Sequence, residues 1–326
     1  MSKITTSYEK IAKETRKEVS KISLEQQREV SKIYKSAVDN ISTKISKSSK
    51  GSISEKWLVD YQTELKATRK SLNTELNKSI KGYTTKAARV ATEAEKLNVT
   101  NMFASGGLEV SEKFTSMFSG VQTNIVNDII KGDLYKDNKT LSNRIWSHGK
   151  EFEKDIQYII AQGIAEKKSA NELSKDLEQF VKNPNQRDAE WGKTYKALTA
   201  KQVQYRASRL ARTSINHAYQ NATIQSSSMN PFVKGIKWVS AMVHGRTCEL
   251  CIERATTDQF GLGVGVFPKD EVPLDHANGW CTMIPYITQS LDDIADEIHN
   301  WVDGGNNPML DDWYDKHGDY FVNKTL

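Results

Sequence analysis

Cysteine and proline are scarce in this chain, and long apolar runs are missing from it. Its 326 residues include three cysteines and six prolines, and no apolar run approaches the roughly eighteen residues of a membrane span. The first residues lack the apolar stretch and cleavage site of a secretory signal. We therefore expect a reducing cytoplasm, where paired thiols favour metal or redox chemistry over structural disulfides.

The shortage of helix-breaking residues is most marked at the N-terminus. The first hundred residues contain no proline and two glycines, Gly51 and Gly82, and the first proline is Pro184. Because nothing obligatory breaks a helix there, the sequence predicts long helices, with a break at Ser46–Ser52 and helical texture again from Trp57. An antiparallel hairpin is the simplest arrangement, while a coiled coil between chains stays open.

Apolar residues in the first predicted helix recur every eleven residues. One series is Tyr8, Val19, Val30 and Ile41, and the other is Ile11, Ile22 and Ile33. Eleven residues complete three helical turns at about 3.67 residues per turn, so the apolar side chains share one face. A narrow stripe on a polar helix cannot fold alone, and we expect it to pack on a second helix or another chain.

The net charge of +5 is distributed unevenly. Residues 1–100 hold 21 basic and 12 acidic side chains, a net charge of +9, whereas residues 291–326 hold 2 and 9, a net charge of −7. The basic region could meet nucleic acid or an acidic protein surface, and the acidic end would be repelled by DNA. Solvated helix faces are the simpler alternative.

The rest of the sequence completes the prediction of the fold class. Ser169 and Glu172 form a predicted capping box at the start of an amphipathic helix. Short stretches rich in β-branched and aromatic residues, which predict strands, begin only after Pro231. Trp313 and Tyr314 lie in an acidic tail, predicted either to dock on a partner or to stay disordered. The sequence thus predicts a mainly α protein with long N-terminal helices over residues 1–100, a helical middle region over 101–195, a small zinc-stapled α+β module over 196–290 and an acidic aromatic tail over 291–326.

All three cysteines lie in one stretch of forty residues. Cys248 and Cys251 form a CxxC pair, whose spacing lets two thiolates bind one ion, and Cys281 follows His276 with four residues between them. A structural zinc site has four protein ligands, and these residues supply a Cys3His set. The glycine-rich loop between the pairs has few apolar residues to order it, so a structural Zn²⁺ is predicted there.

Other interpretations of the same residues remain open. The cysteines could be free buried thiols or a CxxC redox pair, although no thioredoxin-like βαβ pattern surrounds them. His244 could replace His276 as the fourth ligand. Asp275 and His276 also form the DH pair of some metal-finger nucleases, in which the histidine activates water. With one CxxC present, His276 is needed as a ligand, so we predict no enzymatic activity and keep an HNH-like nuclease or zinc-finger DNA-binding protein as the alternative.

Four blocks between Gly163 and Tyr286 resemble the phage Mu F-like head morphogenesis, or minor head, proteins of tailed phages. In order, they are GIAEKKSANELSKDLEQF, RLARTSINHAYQNA, KWVSAMVHGRTCELC and VFPKDEVPLDHANGWC. The family pattern usually ends in a histidine and a proline followed by C-x-C. Here the second cysteine is Cys281, whereas Gly279 stands in place of the first and Ala277 in place of the proline. His244 also stands where the family commonly has an acidic residue.

The resemblance implies a low-copy virion component that is made in the host bacterial cytoplasm. It implies association with the portal protein in the head interior and a part in procapsid assembly or DNA ejection. Scaffold protein, major capsid protein and packaged DNA are further candidate partners under the same resemblance. It says little about residues 1–100.

Overall fold

The computed structural model describes residues 3–48, 55–241 and 247–317. Over these ranges the chain is mainly α-helical, as predicted, and contains one three-stranded sheet. The helices are α1 (Lys3–Ser48), α2 (Glu55–Ser105), α3 (Glu112–Lys131), α4 (Leu141–Ala165), α5 (Ala170–Val181), α6 (Ala189–Thr194), α7 (Tyr205–Ser227), α8 (Glu249–Thr256), α9 (Leu291–Val302) and α10 (Pro308–His317). The strands are β1 (Gly235–Val239), β2 (Val266–Phe267) and β3 (Thr282–Tyr286).

The two N-terminal helices are as long as the missing prolines predict. Helix α1 has 46 residues and α2 has 51. The eleven-residue stripe of α1 is buried: Val19, Val30 and Ile41 are fully buried, while the Tyr8 side chain lies outside the described residues. No helix in the described ranges combines the length and apolar character needed to cross a membrane.

Contacts between residues divide the chain into two compact units. Unit 1 falls within Met1–Ser23, Tyr83–Asp128 and Thr213–Leu326, and unit 2 within Leu24–Gly82 and Ile129–Arg212. Each unit therefore takes residues from separated parts of the sequence. The division into four consecutive segments stays a prediction about sequence texture.

Unit 2 is a set of helical segments around its own apolar core. An ion pair between Lys44 of α1 and Glu64 of α2 joins the end of one helix to the start of the next, which is the antiparallel pairing of a hairpin. Ser169 and Glu172 form the predicted capping box at the start of α5. The core side chains include Val30, Tyr34, Ile41, Leu72, Leu76, Ile156, Leu177 and Phe180.

Unit 1 contains the small sheet, whose strand order is β2-β1-β3 with antiparallel pairing throughout. Gly235 pairs with Tyr286, and Val239 pairs with Thr282. A Cβ atom at Gly235 would lie 2.6 Å from the Phe267 carbonyl oxygen, so only glycine allows the two strands this close. The sheet therefore fixes β3, and with it Cys281, beside β1.

The described part of the predicted tail is folded, which corrects the expectation of a disordered segment. Helices α9 and α10 pack into the core of unit 1, with Trp301, Leu310 and Trp313 buried. The Trp313 ring stacks on Phe103 at a centroid distance of 4.8 Å. The many acidic residues of this segment suggested a solvated tail, so its amphipathic pattern was not recognised in the sequence. Tyr320 and Phe321 lie outside the described residues.

Candidate metal centre

The three cysteines come together because two elements of unit 1, α8 and β3, begin close to each other. Cys248 is the residue that caps the N-terminus of α8, and Cys251 lies in the first turn of that helix. Cys281 immediately precedes β3. Cys248 is exposed, whereas Cys251 and Cys281 are buried. The structure therefore brings both halves of the predicted site to one location.

The donor atoms form two overlapping groups that share Cys251. The Sγ atoms of Cys248 and Cys251 and a ring nitrogen of His276 lie within 4.8 Å of one another. The Sγ atoms of Cys251 and Cys281 and a carboxylate oxygen of Asp275 lie within the same distance of one another. These groupings could hold a metal ion. The first group contains three of the four predicted ligands, whereas Cys281 falls in the second group together with Asp275, which the sequence-based ligand set lacks.

The donors of each group are close enough to share one ion. In a zinc site with bonds of about 2.0 to 2.3 Å, two ligand atoms lie about 3.3 to 3.8 Å apart, and the donors of the first group lie within 4.8 Å of one another. Two thiols and an imidazole are also the ligand types that zinc prefers in closed structural sites.

Asp275 is a buried carboxylate whose oxygens accept several hydrogen bonds. Its side chain has no solvent exposure. Oδ2 accepts from the side-chain amides of Asn216 and Gln220 on α7, both at 3.1 Å, and from the backbone N–H of Cys281 at 3.2 Å. Oδ1 accepts from the backbone N–H of His276 at 2.8 Å. Asp275 thus holds the backbone of two predicted ligands against α7.

Arg16 connects helix α1 to the same network. Its guanidinium donates a hydrogen bond of 2.6 Å to Oδ1 of Asn216, the residue whose amide donates to Asp275. The guanidinium also lies 4.2 Å from the ring centroid of Trp280, next to Cys281. Burial lowers the pKa of Arg16 to about 10, which leaves it cationic at neutral pH. A buried cation and a buried carboxylate are thus joined through one amide.

The pKa values of the thiols shift in different directions. Burial raises the pKa of Cys251 and also that of Cys281. Burial alone would raise the pKa of Cys248, but the neighbouring Cys251 groups and His276 outweigh it and lower the pKa. Burial also opposes the protonated His276, yet the Ala277 carbonyl, Asp275 and Cys248 together raise its pKa. Metal binding would therefore displace protons from the buried thiols and from His276.

The position of Cys248 at a helix N-terminus is also typical of CxxC redox pairs. A helix N-terminus stabilises a thiolate, and such pairs combine an exposed reactive cysteine with a buried partner. Cys248 and Cys251 have these exposures. The proximity of His276 to both sulfurs is the feature that a metal site requires and a redox pair does not.

Gly279 stands where the resembled family has a cysteine, and the structure gives a reason for the difference. A Cβ atom at Gly279 would lie 2.3 Å from both carboxylate oxygens of Asp275. The Asp275 side chain is short and held by hydrogen bonds to Asn216 and Gln220, so it cannot move aside freely. The Asp275 carboxylate occupies the space that a side chain at position 279 would need.

Replacing Gly279 by alanine is expected to destabilise unit 1 by about 1–3 kcal/mol, because overpacking displaces Asp275 from its partners. Chemical denaturation of the purified protein measures this. Gly120→Ala is the matched control: a Cβ there meets nothing within 4 Å, and alanine in a helix interior stabilises by up to about 1 kcal/mol. If Gly279→Ala is no less stable than Gly120→Ala, the Asp275 network does not constrain this turn.

Sequence reasoning identified the donors but not the groups that position them. Asn216 and Gln220 lie one helical turn apart on α7 and are almost fully buried. A polar pair at this spacing within an apolar stripe indicates a buried hydrogen-bonding site, and this pattern is visible in the sequence. No comparable signal marks Arg16, because its partners are 200 and more residues away. His244, the alternative ligand, lies outside the described residues.

No family model, curated protein or solved structure matches this chain.

Proposed function

We propose that this chain is a minor head protein of a tailed phage, a low-copy virion component that associates with the portal protein. Its part would be in procapsid assembly or DNA ejection, with a non-enzymatic role and a structural Zn²⁺ in unit 1. Supporting this proposal are the four ordered sequence blocks and the cluster of thiol and imidazole donors.

The observation that carries the proposal is the meeting of three of these blocks at the candidate metal centre. RLARTSINHAYQNA supplies Asn216 and Gln220, which donate to Asp275 in VFPKDEVPLDHANGWC. KWVSAMVHGRTCELC supplies Cys248 and Cys251, whose donor atoms lie beside His276. Motifs that are separate in sequence thus build one site, as expected if they form a single structural signature.

The chemistry of the site supports a structural role for the ion. Four protein ligands from Cys248, Cys251, His276 and Cys281 would leave no coordination position for water, and an open position is what catalytic zinc requires. When bound, Zn²⁺ would supply a cross-link between the start of α8 and the turn before β3. These residues would hold the ion, and Asp275 would orient the turn that carries His276 and Cys281.

The proposal predicts that a metal-site variant impairs incorporation into heads. Phage heads assembled in the presence of Cys281→Ser are expected to contain severalfold fewer copies of this chain, because the unlinked module folds less stably. Quantitative mass spectrometry of purified heads, normalised to the portal protein, measures this. The control is Cys281→Ser protein in the soluble fraction, whose amount shows whether the loss precedes assembly. Absence of the wild-type chain from heads and portal complexes would contradict the proposed function.

The nuclease alternative makes a different prediction about His276. If His276 activates water, His276→Ala abolishes cleavage of DNA with added divalent metal and leaves the fold intact. If His276 is a ligand, the same variant lowers the melting temperature of unit 1 and changes no cleavage activity. Measuring cleavage and melting on one preparation separates the two.

A further inference from the structure

A basic groove lies in unit 2 between α2 and α4. None of the residues that line it belongs to the candidate metal centre. It has a volume of about 910 Å³. Its basic lining residues are Lys66, Arg69, Lys70, Lys78 and Lys81. Among the described residues that line the groove, none carries a carboxylate. Arg69 is paired with Glu153 of α4, so the positive charge that the groove presents comes from its lysines.

The lysines lie along one side of α2 because of their spacing. Lys66, Lys70, Lys78 and Lys81 are separated by about one, two and one helical turns, so they form a line about 22 Å long. Within the described part of the chain, Lys66, Lys70 and Lys78 have no carboxylate within ion-pairing distance. These three positive charges along one side of a helix repel one another, and an anionic ligand would relieve the repulsion.

A second groove, between α1 and α2, shows that this charge segregation is local. Its lining includes Glu29, Glu64 and Glu75 together with Lys32 and Lys44. Acidic and basic side chains are mixed there, and Lys44 is paired with Glu64. Of the residues of α2 that line these two grooves, the acidic ones, Glu64 and Glu75, face the groove beside α1, and the groove beside α4 is lined by basic and neutral ones.

An exposed tryptophan completes the basic groove. Trp146 on α4 is 47% exposed, and the Lys150 ammonium lies 3.9 Å from its ring centroid. Asn77 donates a hydrogen bond of 2.7 Å to Ser142, so polar side chains bridge the two helices beside it. A positively charged groove with an aromatic ring at its edge is the arrangement that binds a nucleic-acid backbone and stacks bases.

We propose that this groove binds the phosphate backbone of a nucleic acid without sequence specificity. Lysine ammonium groups neutralise phosphates, and hydroxyl and amide side chains such as Thr74 and Asn77 add hydrogen bonds to phosphate oxygens. The proposal concerns unit 2 alone and is independent of the proposed head function and of the metal centre. A single strand and a duplex present the same phosphate chemistry. Trp146 distinguishes them, because its ring can stack on the unpaired bases of a single strand.

The test measures how tightly the full chain binds nucleic acid at several salt concentrations. Binding is detected by the fluorescence anisotropy of a labelled 20-nucleotide single strand or a labelled 20-base-pair duplex. The triple variant K66A/K70A/K78A is expected to bind at least about tenfold more weakly at low salt. Because three phosphate contacts are lost, the slope of log K against log salt should fall by about 2 for the single strand or about 3 for the duplex. The variant K66R/K70R/K78R should retain binding, since it keeps the charges.

The matched control is K35A/K175A/K196A, which removes the same charge at exposed positions of unit 2 that do not line the groove and should keep most of the binding and the slope. If Trp146→Ala weakens single-strand binding severalfold, bases stack in the groove. If the substitution changes the affinity for neither the single strand nor the duplex, the groove contacts the phosphate backbone alone. Either outcome supports the site. Equal loss in both triple variants, no binding at 50 mM salt, or equally tight binding of polyglutamate would overturn it, the last in favour of an acidic protein partner.

Discussion

Replacing Asp275 by alanine is expected to lower the free energy of unfolding of unit 1 by about 3–5 kcal/mol, the usual cost of removing one partner from a buried charged network. The carboxylate is fully buried and accepts hydrogen bonds from Asn216, Gln220 and two backbone N–H groups. Without it, these buried donors lose an acceptor, and the Arg16 cation loses its favourable charge interaction with this carboxylate. Denaturant unfolding with fluorescence detection measures the loss.

Two variants make this result specific. Asp275→Asn keeps the shape but turns an NH₂ group toward donors, so it should recover little of the lost stability. Asp270→Ala removes an exposed carboxylate from the same stretch of chain and should change stability by less than about 0.5 kcal/mol. A loss at Asp275 no larger than that at Asp270 would show that the network contributes little to the fold.

Chelation is expected to lower the melting temperature of unit 1 by about 10 °C or more. A ligand present at a thousand times its dissociation constant stabilises the folded state by about 4 kcal/mol, and each kcal/mol corresponds to about 2–4 °C for a unit of this size. The reason is structural: the loop between Cys251 and His276 contains the exposed Phe260, Leu262 and Val264, so few buried side chains order it. Scanning calorimetry with and without a chelator measures the shift.

The same experiment separates a metal site from a redox pair. Cys248→Ser should reproduce the effect of chelation and remove any further effect of the chelator, whereas His299→Ala, which changes an exposed histidine of α9, should leave the shift intact. A redox pair would respond to oxidant and reductant but not to chelator. Equal melting temperatures in all these conditions would contradict a structural metal.

The features that depend on local periodicity could be predicted from the sequence. Val19, Val30 and Ile41 are buried as the eleven-residue stripe requires, and the capping box of Ser169 and Glu172 forms as its spacing indicates. Their physical cause lies within one helix, so a single stretch of sequence contains the whole signal. The clustering of Cys248, Cys251 and His276 followed from the limited set of available ligands.

The features that depend on contacts across the chain could not be predicted. Asp275 looked like half of a DH motif, and only the fold shows that α7 and Arg16 surround it. The burial of Trp301 and Trp313 was missed because acidic neighbours suggested a solvated tail. In both cases the surroundings of a charged residue depend on partners that are far away in the sequence.

The central claim, that Cys248, Cys251, His276 and Cys281 bind one zinc ion, is tested most directly by X-ray absorption spectroscopy of the purified protein. The account predicts one zinc per chain with three sulfur ligands at about 2.3 Å and one nitrogen ligand at about 2.0–2.1 Å. In His276→Ala the nitrogen contribution should fall while the sulfur contribution remains. Two sulfur ligands with an added carboxylate oxygen, which would mean Asp275 in place of Cys281, or the absence of zinc altogether, would contradict the claim.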